Sequence, residues 1–382
     1  MLMLLLVLTG CDEVIWSSKK SDRFIVAFDR EAELSPILDE LEAAGVRIID
    51  RLDIISGISC YLNEEQMDLV RDMPSFRYVE LDVELYMLEA APPQPLLIRN
   101  YRMAPADESI DWGVKRIRAP EAWELSTGKD VRVGVIDTGI AADHPDLPGA
   151  VIGGFNAIDG GSYADDNNHG TYVASVLAAR RNGVGMVGVA PDALLYSIKV
   201  MNSDGRGFIS DIIEGCQWAI GEKIPVVNMS LGAEYNSIAL REAIDEAAFQ
   251  GMSVIAASGN EGDGQVLYPA GHDVAVCVGA SNMDDRRMSW SNYGQALKEN
   301  GALAPGEWIL ASDRFGELSR VSGTSIAAPH VTGIFALLLE SGQIERESLR
   351  EFIFQSASRS EDPDESSGHG IVDAKKALDL MQ

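Results

Sequence analysis

The hydrophobic and polar positions of this chain change their period several times. Phe24-Ile25-Val26-Ala27-Phe28 reads as a strand, and Leu34, Ile37, Leu38 and Leu41 recur at the spacing of one helix face, which predicts a helix over Leu34 to Ala44. After Gly45, β-branched alternation predicts strands over Val46 to Leu52 and Ile58 to Leu62, then a helix over Glu64 to Asp72 and a strand over Tyr78 to Leu81. This β-α-β-β-α-β order is that of a small ferredoxin-like α+β domain spanning residues 23–88. Residues 89–106 break the pattern with Pro92, Pro93, Pro95 and Pro105, a composition expected of a stiff, extended linker.

From residue 107 to 382 the pattern becomes apolar runs separated by amphipathic stretches. Val131 to Ile136, Leu194 to Val200, Val226 to Met229, Val254 to Ala257 and Val274 to Gly279 are too uniformly apolar for half-exposed strands and predict buried parallel ones. Helices are expected over His169 to Ala179, Ile209 to Ile220 and Ile238 to Phe249, with another from Ser325 through Pro329 to Leu339. The fold class is therefore α/β, a mainly parallel central sheet flanked by helices. Open sheets of this kind build sites at the carboxyl ends of their strands, and Asp137 stands at such an end.

Three separated segments supply chemistry: Val135-Ile136-Asp137-Thr138-Gly139-Ile140, Asn168-His169-Gly170-Thr171 and Gly323-Thr324-Ser325-Ile326-Ala327-Ala328-Pro329-His330. A serine hydroxyl needs a base to take its proton and a carboxylate to orient that base before it can attack an amide. The chain order Asp137, His169, Ser325 is one of three known for such a triad. On these motifs the chain resembles the subtilisin-like serine peptidases, and the resemblance implies a serine endopeptidase acting through an acyl-enzyme. A catalytically silent peptide-binding protein held shut by its first domain, and an esterase or transacylase using the same triad, are the alternatives.

The resemblance extends to further residues. Asn260, in Ala257-Ser258-Gly259-Asn260-Glu261-Gly262, matches the family's oxyanion asparagine. Gly205-Arg206-Gly207 and Ser230-Leu231-Gly232 match the two edges of the substrate cleft, where Gly205, Gly207, Ser230, Leu231 and Gly232 would pair with an extended peptide. Leu267 would floor the pocket for the residue preceding the scissile bond, and Glu261 would stand at its rim. Asp146 and the loop from Arg180 to Met186 match a structural calcium site with Arg180, Asn182, Val184, Met186 and Glu108 as further ligands, an oxygen-rich set that suits Ca²⁺. Phe24-Ile25-Val26, Gly45-Val46, Ile55-Ser56-Gly57-Ile58-Ser59 and Val79-Glu80-Leu81-Asp82 resemble the family's propeptide, which implies a chaperone and inhibitor cleaved near Leu88 and Glu89. The helix that opens at His169 has Tyr172 where the family has histidine, a departure that concerns packing.

The apolar run of residues 1–10 is too short to span a bilayer and resembles a signal peptide. It lacks the usual basic start, yet Leu8-Thr9-Gly10-Cys11 resembles the bacterial lipoprotein box, which implies lipid on Cys11 and a tether over residues 11–22. A plain secretory signal and an uncleaved stretch are the alternatives. Either export route leads to the cell envelope or beyond, with release of the catalytic part on processing. Cys60, Cys216 and Cys277 have apolar neighbours and no paired spacing, so buried free thiols are expected. A formal net charge of -28 argues against nucleic acid as a partner and leaves protein or peptide substrates.

Overall fold

The computed structural model describes residues 22–88, 108–342 and 348–382. The signal-peptide and lipidation expectations, the tether up to residue 21, the linker and Glu89 lie outside these residues.

The small domain has the predicted order. Its sheet runs Arg47–Leu52, Gly57–Leu62, Asp22–Phe28, Phe76–Leu81, with every neighbouring pair antiparallel. The helices are Leu34–Ala43 and Glu64–Arg71, the second opened by a capping box between Asn63 and Gln66. Phe24, Val26 and Phe28 point into the domain's own core, whereas Ile25, with Leu52 and Ile55, packs into a core cluster of the large domain. A two-sided environment explains why this strand is apolar without alternation.

The large domain is built on a seven-stranded sheet in the order Gly301–Pro305, Val276–Ser281, Ser253–Ala257, Val226–Met229, Arg132–Asp137, Leu194–Lys199, Val151–Asn156, all parallel. The first of these seven strands in chain order, Arg132–Asp137, sits inside the sheet. Later strands are laid down first on one side of it and then on the other, which makes its carboxyl end a topological switch point. Alternate side chains feed two cores. Val133 and Val135 belong to the core shared with the helices His169–Ala178 and Thr324–Glu340, and Ile136 and Ile198 to that shared with Ile209–Gly221 and Ile238–Phe249.

Two details differ from expectation. The strand expected to start at Val274 starts at Val276, because Val274 is exposed and lies inside a turn closed by the hydrogen bond from Ala275 N to His272 O. The edge strands Val151–Asn156 and Gly301–Pro305, with Gly and Ala at many positions, carried too little apolar signal to be predicted. Cys60, Cys216 and Cys277 are buried free thiols, as expected. Among the described residues no helix is long and apolar enough to cross a membrane.

Candidate active site

Asp137 ends the strand Arg132–Asp137 at the switch point and is 1% exposed. Its Oδ1 accepts from Thr138 N at 2.7 Å and lies 2.7 Å from His169 Nδ1. His169 opens the helix His169–Ala178, and that helix start is brought to the strand end by Asp165. Asp165 Oδ1 accepts from Thr138 Oγ1 at 3.0 Å and from the backbone N–H groups of Asn167 and Asn168, while Oδ2 accepts from Thr171 N and Oγ1. Thr138 Oγ1 in turn accepts from Gly170 N at 3.0 Å. The two segments approach so closely that a Cβ on Gly170 would stand 2.1 Å from the Gly139 carbonyl oxygen, which is why this position admits only glycine.

Ser325 lies in the first turn of the 17-residue helix Thr324–Glu340 and is 2% exposed. A point one Cβ out from Gly323 would be 2.8 Å from Ser325 Oγ, 3.6 Å from Asn260 Nδ2 and 3.7 Å from Ser325 N. A hydroxyl, a side-chain amide and a backbone N–H thus surround one small volume at the positive end of a helix, where negative charge is stabilised. Asn260 is oriented by its oxygen: Oδ1 accepts from Thr324 N at 3.0 Å and Thr324 Oγ1 at 2.9 Å, so Nδ2 faces the other way. Thr324 Oγ1 also accepts from Gly259 N at 3.2 Å.

The two segments expected to edge the cleft lie on either side of a third strand. Glu84–Met87 pairs antiparallel with Leu231–Gly232 on one side and with Arg206–Phe208 on the other, and Met87 N donates to Gly205 O at 2.9 Å. Gly205 has φ +70°, a conformation that favours glycine, and a Cβ there would be 2.7 Å from the Met87 side chain. The strand runs on to Leu88, whose carbonyl oxygen accepts from Asn260 Nδ2 at 3.4 Å. Leu267, 4% exposed, packs beside Gly232, and Glu261 Oε2 accepts from Asn292 Nδ2 at 2.6 Å next to Gly259. Ser230 contributes differently from Gly232: its hydroxyl donates to the Ser325 carbonyl at 2.7 Å and accepts from Asn228 Nδ2 at 2.8 Å, bracing the cleft edge against the Ser325 helix.

Four positions in this arrangement were not singled out from the sequence: Asp165, Thr324, Asn228 and Asn292. The last holds the Asn260 loop by accepting from Glu261 N and Gly262 N. Only Asp165 had a legible signal, a carboxylate shortly before a helix start. Thr324 and Asn292 act through partners distant in sequence, and Asn228 through a serine two residues on.

The residues expected to bind calcium converge on one loop. Asp146 Oδ2 accepts from Met186 N at 3.2 Å, while its buried Oδ1 has no hydrogen-bond partner. Burial first, and repulsion by Glu108 second, push the Asp146 carboxyl up to about 6. Glu108 Oε1 accepts from Gly183 N, and Asn182 Nδ2 donates to Pro145 O. A Cβ on Gly185 would lie 2.1 Å from the Asp146 carboxylate, so the loop backbone closes over it. Arg180 turns its guanidinium away toward the carbonyls of Pro191, Ala193 and Gly149, and Arg181 stacks over Trp123, so neither arginine charge opposes a cation here. An orphaned buried carboxylate oxygen beside a second carboxylate fits a hard cation. Among the described residues no three His, Cys, Asp or Glu side chains group as a metal site, which leaves amide and backbone oxygens to complete any such shell.

Comparison with known proteins agrees with this geometry. The Subtilase family profile matches residues 128–370. M-protease of Shouchella clausii (strain KSM-K16) is 32% identical over 336 residues, covering 84% of this chain and 82% of that protein. Subtilisin BL of Lederbergia lenta is 42% identical over 233 residues, 60% of this chain and 84% of its own length. The minor extracellular protease Epr of Bacillus subtilis (strain 168) is 31% identical over 359 residues, 92% of this chain and 53% of Epr.

Proposed function

This chain belongs to the subtilase family and is a subtilisin-like serine endopeptidase, and from that premise we propose that it is made as a self-processing zymogen whose small domain is cut off after Leu88. The observation that carries the proposal is the seating of Leu88: its carbonyl meets Asn260 Nδ2 at the end of a strand hydrogen-bonded to both cleft edges. That is where the acyl half of a cleaved peptide would lie.

In this reading Ser325 Oγ attacks the scissile carbonyl carbon while His169 Nε2 takes its proton, and Asp137 holds the other ring nitrogen. The resulting oxyanion is held by Asn260 Nδ2 and Ser325 N. The C–N bond then breaks, His169 returns the proton to the leaving amine, and an acyl-Ser325 ester remains. Water, deprotonated by His169, attacks that ester, and Ser325 recovers its proton as the new carboxylate departs. Leu267 and Glu261 shape the pocket for the side chain before the scissile bond.

Calcium bound by Asp146, Glu108, Asn182 and the backbone oxygens of Arg180, Val184 and Met186 would brace the loop and neutralise two facing carboxylates. Its role is structural, outside the chemical steps. Export, with lipid on Cys11, is part of the same proposal; the name of the extracellular relative Epr supports export alone.

The test is intact mass and N-terminal sequencing of the wild type beside Ser325→Ala, both produced as the full chain with calcium. The wild type is expected to lose residues up to Leu88 and the variant to stay whole. Both proteins remaining whole, or both being cut alike, defeats self-processing.

A further inference from the structure

The strand Glu84–Met87 touches the cleft through more than its backbone. Its side chains alternate: Leu85 is fully buried, while Tyr86 is 51% exposed and Glu84 lies at the rim. Opposite Tyr86 in register stands Arg206, flanked by Gly205 and Gly207, and opposite Glu84 stands Phe208. Arg206 Nη1 is 3.5 Å from Glu84 Oε2, and its guanidinium carbon lies 5.2 Å from the centre of the Tyr86 ring. Tyr86 OH donates to the same Glu84 oxygen at 3.3 Å. Among the described residues Arg206 makes no other ion pair, so departure of the small domain would leave its charge facing the empty cleft edge.

We propose that Arg206 is a specificity-determining residue that selects protein substrates with an acidic side chain at the fifth position before the scissile bond, and an aromatic one at the third. Counting back from Leu88, Tyr86 is third and Glu84 fifth, so the inference rests on the reading of Leu88 as the acyl-side residue. The preference runs against the molecule as a whole. A net charge of -28 repels acidic peptides at long range. Salt screens that field beyond about 8 Å at physiological ionic strength, whereas a contact at 3.5 Å falls inside the screening length. The local cation therefore governs the bound peptide, and a guanidinium suits both partners because it can pair with a carboxylate while lying over a ring.

The experiment uses the protein produced as the full chain and allowed to mature, with two internally quenched peptides, Glu-Leu-Tyr-Met-Leu-Glu-Ala-Ala and the same sequence beginning with Lys. Wild type should cleave both between the second Leu and the Glu that follows it, with kcat/KM favouring the Glu peptide by about threefold or more, the range for one exposed charge pair reversed in sign. Arg206→Gln should level the two and Arg206→Glu should invert them. The wild-type difference should shrink at about 0.5 M salt. Cleavage at that bond with the same ratio in wild type and Arg206→Glu overturns the role of Arg206 and leaves the zymogen reading intact. No cleavage, or cleavage at another bond, overturns the reading of the cleft and the inference with it.

Discussion

Thr324 shows how much of this site depends on residues that never meet the substrate. Its hydroxyl and backbone N–H both donate to Asn260 Oδ1, which removes the ambiguity of an amide and turns Nδ2 toward the Leu88 carbonyl. Asn260→Ala should lower kcat about a hundredfold to a thousandfold with little change in KM, a magnitude established on subtilisin, a relative of this chain. Thr324→Val keeps the backbone bond and loses the hydroxyl one, so kcat should fall about tenfold, equivalent to about 1.4 kcal/mol. If Thr324 acts through Asn260, the valine should cost nothing further in the Asn260→Ala background; full additivity in steady-state kinetics would refute the link. Asn260 itself was expected only through the resemblance of Ala257 to Gly262 to a family segment, since an asparagine beside glycines reads locally as a turn residue. Thr324 was hidden beside the more conspicuous serine, since a hydroxyl's partner 64 residues away leaves no local trace.

At the scale of elements, the small domain attaches to the large one by capping two of its helices. Glu80 and Asp82 are two residues apart, so the strand period turns both to one side. Glu80 accepts from Ser237 Oγ, Tyr235 OH, Ile238 N and Ala239 N at the start of the helix Ile238–Phe249. Asp82 accepts from Ser210 N and Oγ at the start of Ile209–Gly221. A carboxylate there satisfies orphan N–H groups and complements the helix dipole. Losing a cap costs about 1 kcal/mol, so under the zymogen proposal Glu80→Ala should weaken inhibition of the mature enzyme by the separated small domain about fivefold, read as a rise in Ki. An unchanged Ki would mean that the cleft strand Glu84–Met87 carries the affinity alone. Element types and order were readable from periodicity, with boundaries within about two residues for most. Glu84–Met87 was not, because a four-residue strand has no core of its own and exists through pairing with two loops of another domain.

Across the whole molecule, charge makes the assembly sensitive to pH. Where the domains meet, one guanidinium, Arg23, faces Asp50, Asp82, Asp211 and Glu214; it bonds Asp82 at 2.5 Å and Asp211 at 3.1 Å. Burial, then repulsion from Asp50 and Asp211, pushes the Glu214 carboxyl up to about 7, and burial pushes Asp211 up to about 6. A carboxyl raised in the assembled state favours assembly while protonated, and that contribution is lost as pH rises from the ordinary carboxylate range through the raised value. Once cleaved, the small domain should therefore dissociate faster at pH 8 than at pH 5, measured as the lag before activity appears in the processed protein. Glu214→Gln should flatten this dependence. A lag independent of pH in the wild type would show that the carboxyls stay charged at the interface.

The sequence by itself determined the α/β class and the small domain's strand and helix order, and it marked Asp137, His169 and Ser325 as candidates by their motifs. Each is written locally, in a period, a cap or a short motif, because helix and strand periodicities and turn chemistry act over a few residues. Only the tertiary structure decided that Asp137 and His169 share a hydrogen bond, that Thr324 aims Asn260, and that the Leu88 carbonyl reaches Asn260. It also decided that Arg206 meets Glu84, and that four carboxyls crowd one arginine. Those relations join residues 27 to 191 positions apart. They come from the switch point of a parallel sheet and from a strand docked across domains, where burial and sheet pairing between remote segments set the chemistry.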